Sequence, residues 1–238
     1  MLVHAGIGDR RVWDPILPAL SRDYRCTRFD VRGFGRSPAP ARPFSPVDDL
    51  AAVAASTGQD PVTVIGISMG AGMTADFALA RPAAVAGMVL ASPSLTGFPG
   101  PPEDDPRLAA CDEATERGDT HAAVDHELEF WAPLGFGGPL GEMLHAMAHD
   151  NAATMLLDDD LIIGQPEAAG RLGEITIPAL VLVGAKDAEH IRASADVISA
   201  AIPECTKSVI PDADHLIPLR NPAEFTKLTM EYLSAISF

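Results

Sequence analysis

The sequence predicts an α/β protein, in which helices cover both faces of a mostly parallel sheet of about six strands. Three observations support this prediction. Short runs of β-forming residues alternate with segments of helical periodicity. Two of those runs, VTVIG and ALVLVG, are apolar throughout, as strands buried on both faces are. Hydrophobic residues make up 47% of the 238 residues, which is enough for a substantial core.

Strands and helices alternate in this way along most of the chain. The runs with strand character are Leu2–His4, Tyr24–Asp30, Pro61–Gly66, Gly87–Ala91, Ala179–Val183 and Thr206–Ile210. The segments with helical periodicity are Trp13–Ser21, Pro46–Thr57, Met69–Ala80, Ala188–Ala201 and Pro222–Ile236. Such an alternation is typical of a parallel sheet whose crossover connections are helices.

One region interrupts the alternation. Between Phe98 and Arg171 the pattern is helical throughout, and it opens with the proline-rich acidic linker FPGPPEDDP. Helices are predicted there at Arg107–Arg117, Ala122–Trp131, Leu140–His149 and Ala152–Ile163. We therefore expect an α/β core formed by residues 1–97 and 171–238, with residues 98–170 inserted as a helical cap, or lid, over a site.

The chain carries 17 Lys and Arg residues against 33 Asp and Glu residues, a net charge of -16. Such a surface repels phosphate backbones and anionic lipid, which disfavours nucleic acids and membranes as partners. The three cysteines are scattered and form no CxxC motif, which suits a reducing compartment. Neither a signal peptide nor an apolar stretch long enough for a bilayer is evident, so we expect a soluble cytoplasmic protein.

The sharpest motif is GISMG, at residues 66–70, between the strand VTVIG and the helix that begins at Met69. A GxSxG sequence between a strand and a helix predicts a strained turn that exposes Ser68 above the sheet. Small residues are needed two positions before and after the serine because the turn is so tight. The Met69 backbone N–H would then face a developing oxyanion.

A serine hydroxyl needs a base to become a nucleophile, and that base needs a carboxylate to orient it. Asp187 follows the buried strand ALVLVG, and His215 follows the next strand along the chain. The carboxyl ends of parallel strands are where open α/β sheets build their sites. The chain order Ser68, Asp187, His215 therefore predicts a catalytic triad.

The chain resembles the α/β-hydrolase fold superfamily, most closely its small capped esterases and lactonases such as the 3-oxoadipate enol-lactonases. The matching segments are HAGIGDRRVWDPILPAL at 4–20, FDVRGFGRS at 29–37, GISMG at 66–70, LVGAKD at 182–187 and DADHLIPLRNP at 212–222. The resemblance implies Ser68 as nucleophile, His215 as general base and then acid, and Asp187 as its orienter. It also implies a second oxyanion donor, the Ile7 backbone N–H, although Ala5 replaces the more usual glycine in that turn.

In this family two further strands normally precede the first matching turn. Either the start codon is assigned late, or the sheet lacks its first edge hairpin. In the second case the segment YRCTRFDV would form an uncovered edge, and we expect either a homodimer that pairs through it or poor solubility.

Several alternatives compete with this assignment. Glu189 is a second candidate for the acid, and His190 for the base, although His190 stands too close to Asp187 in sequence and is expected at the pocket rim. His145 and His149 lie four residues apart on a predicted helix, as metal ligands do. The sequence HAMAH offers neither a general-base Glu nor an evident third ligand, so we predict no bound metal.

The predicted activity is hydrolysis of a small carboxylic ester or lactone through an acyl-Ser68 intermediate, without a cofactor. Four bulky side chains are candidates for substrate contact, namely Trp13, Phe130, Trp131 and Met143. The same triad also serves C–C bond hydrolases and cofactor-free perhydrolases, and a catalytically weak, receptor-like ligand-binding protein or an inactive paralogue is a further alternative. The sequence does not name the substrate.

Overall fold

The computed structural model describes residues 1–102, 104–135, 137–165 and 167–236. Its sheet has five parallel strands in sequential order. They are β1 (Leu2–Val3), β2 (Val62–Ile67), β3 (Val85–Ala91), β4 (Ala179–Gly184) and β5 (Cys205–Ile210). β4 is buried along its whole length, as its apolar sequence predicts. The α/β class predicted from the sequence is confirmed.

Nine α-helices are found within the described ranges. They are α1 (Leu17–Leu20), α2 (Pro46–Ser56), α3 (Met69–Ala80), α4 (Pro106–Glu116), α5 (Thr120–Trp131), α6 (Gly138–Asp150), α7 (Glu189–Ala201), α8 (Ile217–Arg220) and α9 (Pro222–Ala235). Local signals set several helix starts: the Ser45 side chain accepts from Asp48 N before α2, and Asn221 accepts from Glu224 N before α9. None of the described helices is both long and apolar enough to cross a membrane.

The segment Tyr24–Asp30, predicted as a sixth strand, is not one. It makes a single parallel bridge, between Leu2 and Arg28, with one hydrogen bond from Leu2 N to Thr27 O (2.8 Å). The reason is the length of its neighbour: β1 spans two residues and offers no ladder to extend. The homodimer expected to form through this edge stays a prediction.

The register of the sheet brings the carboxyl ends of the strands to one edge. Ile67 pairs with Ala91, Ala91 with Leu182, and Gly184 with Ile210. Residues that follow β2, β3, β4 and β5 therefore emerge side by side. One apolar cluster packs on each face of the sheet.

Between β3 and β4 the chain leaves the sheet and forms α4, α5 and α6, the helical insertion (residues 98–170). The helix predicted at Ala152–Ile163 is wrong: two short 3-10 turns, Ala152–Leu156 and Asp159–Leu161, replace it.

Polar contacts tie the insertion to the core. Asn151 Nδ2 donates to Asp9 (3.0 Å) and its Oδ1 accepts from Gly35 N (2.6 Å). Burial opposes the shift, but hydrogen bonds from Arg11 and Asn151 lower the pKa of Asp9 to about 2. This buried carboxylate holds the insertion against the loop that follows β1.

Candidate active site

Ser68 stands in the turn between β2 and α3 with a backbone φ of 55°, a region that non-glycine residues rarely adopt. Its amide donates to Ala91 O at 2.9 Å, which fixes the turn against β3. A Cβ added to Gly66 would come within 2.2 Å of Gly70 O, and one added to Gly70 within 2.3 Å of Val3 O. Both glycines of GISMG are therefore required by close backbone approach, and the turn presents Ser68 half-buried at a helix N-terminus.

Asp187 and His215 are hydrogen-bonded and almost fully buried. His215 Nδ1 lies 2.9 Å from Asp187 Oδ1, and their side chains are 1% and 0% exposed. Asp187 Oδ1 also accepts from Ala188 N at 2.8 Å, so the carboxylate is held in place. Glu189, the alternative acid, is exposed in the first turn of α7. The geometry favours Asp187 as the partner of His215.

His215 Nε2, the ring nitrogen that would accept the Ser68 proton, is buried and has no hydrogen-bond partner among the described residues. Ser68 and His215 are therefore not hydrogen-bonded in this structure. Catalytic hydrogen bonds are often long in the absence of substrate and tighten when it binds. Nε2 is therefore free to accept a proton, and the hydrogen bond between His215 Nδ1 and Asp187 fixes the orientation of the ring.

The two amides proposed for an oxyanion hole come from adjoining segments. Met69 opens α3, and Ile7 lies in the loop after β1. Within the described ranges neither amide N–H has an acceptor. A Cβ added to Gly6 would stand 3.8 Å from Met69 Cβ, so the loop runs directly beside the turn that carries Ser68. Unpaired N–H groups at such a position suit a developing negative charge.

His4 fixes the shape of that loop. Its Nε2 accepts from Val31 N at 2.8 Å, so its Nδ1 carries the proton and donates to Ala5 O at 2.8 Å. Burial lowers the pKa of His4, which keeps the ring neutral in this arrangement. This histidine is a structural link between two loops, a role that one sequence without structure does not reveal.

Aromatic side chains of the helical insertion cover His215. The Trp131 ring lies 4.2 Å, centroid to centroid, from the His215 ring, and Phe130 packs edge-on against Trp131 at 4.7 Å. His190 lies 5.7 Å from Trp131. Burial and the charge of His215 lower the pKa of His190, so it is a neutral member of this wall. The position expected for His190, at the rim beside Asp187, matches this placement.

Glu127 is a candidate site residue that no sequence motif indicates. Burial raises its pKa, while hydrogen bonding with Trp131 and the charge of His215 act in the opposite direction. Glu127 and Trp131 lie four residues apart on α5 and so share one face of that helix. The spacing was visible in the sequence, but only the packing of α5 shows which face meets His215.

The remaining candidates for substrate contact differ in position. Trp13 is fully buried in the core, where it packs against Phe225 of α9 at 6.2 Å, so the structure gives it a packing role and no surface for substrate. Met143 is half-buried against the same apolar cluster. Phe136, another apolar residue of the insertion, lies outside the described residues.

An apolar cavity of about 340 Å³ lies beside the turn that carries Ser68. Met69 forms part of its wall, Leu95 follows β3, and Leu157 and Ile162 come from the helical insertion. Two acidic residues also line it: Asp76, which is buried and accepts a hydrogen bond from Thr96, and Asp158. The cavity has room for a small acyl group or ring.

A five-stranded parallel sheet with a strained serine, an aspartate and a histidine at its carboxyl edge defines a class of protein. The family model for the alpha/beta hydrolase fold matches residues 1–131, more than half of the chain. The chain therefore belongs to the α/β-hydrolase family, and the resemblance drawn from its motifs is confirmed.

Known proteins are similar along almost the full length. A Bacillus subtilis protein named "Putative 2-succinyl-6-hydroxy-2,4-cyclohexadiene-1-carboxylate synthase" is 26% identical, over 98% of this chain and 89% of its own. A Rhizobium rhizogenes protein named "Putative carbamate hydrolase RutD" is 25% identical, over 100% and 93%. The crystal structure of the enol-lactonase from Burkholderia xenovorans is 22% identical, covers 98% and 90%, and superposes with a TM-score of 0.81, which shows the shared fold.

Proposed function

We propose that the protein is a serine hydrolase that cleaves a small carboxylic ester or lactone through an acyl-Ser68 intermediate. One observation carries the proposal: a buried Asp187–His215 pair stands at the same sheet edge as a serine held at positive φ. A turn with a purely structural role requires neither a serine in a strained conformation nor a nearby histidine that is oriented by a carboxylate.

In the proposed reaction Ser68 Oγ attacks the carbonyl carbon while His215 Nε2 takes its proton. Asp187 accepts the Nδ1–H, holds the tautomer and stabilises the imidazolium. His215 then protonates the leaving alkoxide, and the acyl group remains on Ser68. Water, deprotonated by His215, attacks the acyl carbonyl, and the imidazolium then returns this proton to Ser68 Oγ as the acid leaves. No cofactor takes part.

The oxyanion that forms at each step is assigned to the amides of Met69 and Ile7. Both N–H groups are without an acceptor in the described part of the chain, and the helix dipole of α3 adds to the field at Met69. One such donor is typically worth about 3 kcal/mol of barrier.

The surroundings of the triad favour a small and uncharged substrate. Trp131 and Phe130 close one side with apolar surface, and the cavity beside Met69 is lined mainly by apolar side chains. Glu127 and Asp187 place carboxyl groups near His215, which disfavours an anionic acyl group. We assign the helical insertion the role of a cap that sets the size of this group.

The decisive experiment is steady-state release of p-nitrophenol from acetate and butyrate esters by the wild type and by Ser68→Ala. We expect many turnovers in the wild type and a loss of at least about 10³-fold in the variant. Ser234→Ala, at an exposed position on α9, is the matched control and should be unchanged.

Two further measurements separate the alternatives. A covalent mass shift on the peptide that contains Ser68, after rapid acid quenching, would identify the acyl-enzyme. A panel of lactones, carbamates and a C–C-cleavable diketone would define the class of bond. Equal rates in the wild type and in Ser68→Ala would overturn the proposal and turn attention to ligand binding without turnover.

A further inference from the structure

The helical insertion carries a second group of histidine and aspartate side chains, outside the triad. The α5–α6 cluster consists of His121 and Asp125 on α5, and His145 and His149 on α6. Each pair is spaced four residues apart, so its two members lie on one face of their helix. The sequence shows two separate pairs, whereas the fold joins them into one cluster.

Three of these side chains converge on one point. His149 Nε2 lies 2.8 Å and His145 Nε2 3.8 Å from Asp125 Oδ1. One potential ligand atom from each of the three side chains lies within 4.8 Å of the other two. In a tetrahedral zinc site, with ligand bonds of about 2.0–2.1 Å, ligand atoms stand about 3.3 Å apart. The separations in the cluster bracket that value, so small side-chain rotations would complete a site.

The fourth side chain is placed to orient one of these ligands. His121 Nδ1 lies 2.8 Å from His149 Nδ1, and the two rings stack at 5.1 Å. If the Nδ1–H of His149 donates to His121, the lone pair of His149 Nε2 points at the common centre. Metal-bound histidines commonly have such a partner on their other ring nitrogen.

We propose that Asp125, His145 and His149 bind one divalent transition-metal ion, Zn²⁺, with His121 as a positioning residue. Two imidazole nitrogens and one carboxylate oxygen suit Zn²⁺ and disfavour Mg²⁺ and Ca²⁺, which take oxygen ligands. The net charge of -16 also attracts cations to the surface. The sequence predicted no bound metal because it showed no third ligand beside His145 and His149. The structure supplies that ligand from another helix, as Asp125 of α5.

The position of the cluster indicates a structural role for the ion. It would join α5 to α6, and these helices also meet the active site. α5 also carries Trp131, which covers His215, and on α6 Met147 lies so close to Gly8 that a Cβ there would meet its Cε at 2.7 Å. The sequence HAMAH places Ala146 where a metalloprotease has its Glu, so we assign the ion no hydrolytic step.

The test uses full-length, tag-free protein that has been stripped with a chelator. Titration with Zn²⁺ alone, in competition with a chromophoric chelator, should show one equivalent bound. His145→Ala, His149→Ala and Asp125→Asn should each weaken binding at least tenfold, and His121→Ala by a smaller factor. His126→Ala is the matched control, because His126 lies on α5 beside Glu129 and outside the cluster.

Thermal unfolding provides an independent measurement. Saturating Zn²⁺ should raise the Tm of the wild type and of His126→Ala, and should leave that of His149→Ala unchanged. Mg²⁺ at the same concentration should have no effect on any of them. A wild type that binds no stoichiometric Zn²⁺, or variants that bind it as tightly as the wild type, would overturn the proposal.

Discussion

The molecule contains two His–Asp pairs of nearly identical geometry in different surroundings. His215 and Asp187 meet at 2.9 Å with side chains 1% and 0% exposed, whereas His149 and Asp125 meet at 2.8 Å with side chains 19% and 56% exposed. The first pair follows two adjacent strands, and the second joins two helices of the insertion. The distance is therefore no guide to the chemistry.

The surroundings decide what each pair is able to do. His215 is buried away from water, and within the described ranges its Nε2 has no hydrogen-bond partner. The strained Ser68 lies at the same edge of the sheet. Around His149, solvent reaches the carboxylate, and a further imidazole converges on the same oxygen. The buried arrangement suits proton transfer, and the exposed one suits a cation that keeps a water ligand.

The largest expected effect tests whether only the buried pair is catalytic. Asp187→Asn should lower kcat for a p-nitrophenyl ester by roughly 10⁴-fold, because the imidazole loses its oriented tautomer. Asp125→Asn, the matched change in the exposed pair, should leave kcat within about twofold in chelator-treated protein. Steady-state kinetics would measure kcat for both variants. Similar decreases in kcat would contradict the assignment of catalysis to the buried pair alone.

A smaller effect is expected from the aromatic cover. Trp131→Ala removes the ring that lies 4.2 Å from His215 and admits water to the site. We expect kcat/KM to fall by roughly 10- to 100-fold, since modest misplacement of catalytic groups costs that much. Trp131→Phe should retain most of the activity. A Trp131→Ala variant with unchanged kcat/KM would show that the ring only packs.

Glu127 allows a test through pH. Its pKa is raised by burial, so the fold favours the neutral acid. The resulting contribution to stability is fully present below the ordinary value of 4.5 and is lost as pH rises through the folded pKa. Glu127→Gln stays uncharged, so its Tm should exceed that of the wild type at about pH 8 and approach it at about pH 4.

The same variant has a kinetic consequence. Burial raises the pKa of Glu127, and its carboxyl group interacts electrostatically with His215, so the ratio of kcat/KM between Glu127→Gln and the wild type should change with pH as Glu127 ionises. Gln keeps the shape of the side chain, and Glu129→Gln, at an exposed position on the same helix, is the control. Parallel profiles for all three proteins would exclude electrostatic coupling to the base.

The smallest expected effect concerns the exposed pair in the absence of metal. His149→Ala should change the free energy of unfolding by less than about 1 kcal/mol in chelator-treated protein, as exposed ion pairs do. Chemical denaturation with urea would measure it. A loss of several kcal/mol would show that the cluster stabilises the insertion without an ion.

Most of the core was predictable because its signals are local. Buried strands such as ALVLVG have no polar residues, and the helix that follows GISMG begins where the glycines permit a tight turn. The predicted strand at Tyr24–Asp30 failed because pairing depends on a partner strand, and β1 is only two residues long. The predicted helix at Ala152–Ile163 failed because its pattern does not show where a helix must turn to follow the core.

The sequence by itself determined the α/β class, the order of Ser68, Asp187 and His215 along the chain, and the turn that strains the serine. Each of these follows from residues that are neighbours in the chain or from the rule that parallel strands end at one edge. Only the tertiary structure decided that Trp131 contacts His215, that Glu127 lies close enough to interact electrostatically with it, that Trp13 belongs to the core, and that Asp125 joins two histidines of another helix. Those contacts depend on how the helices pack. Helical periodicity predicts which face of a helix is buried, but it does not predict which residues that face contacts.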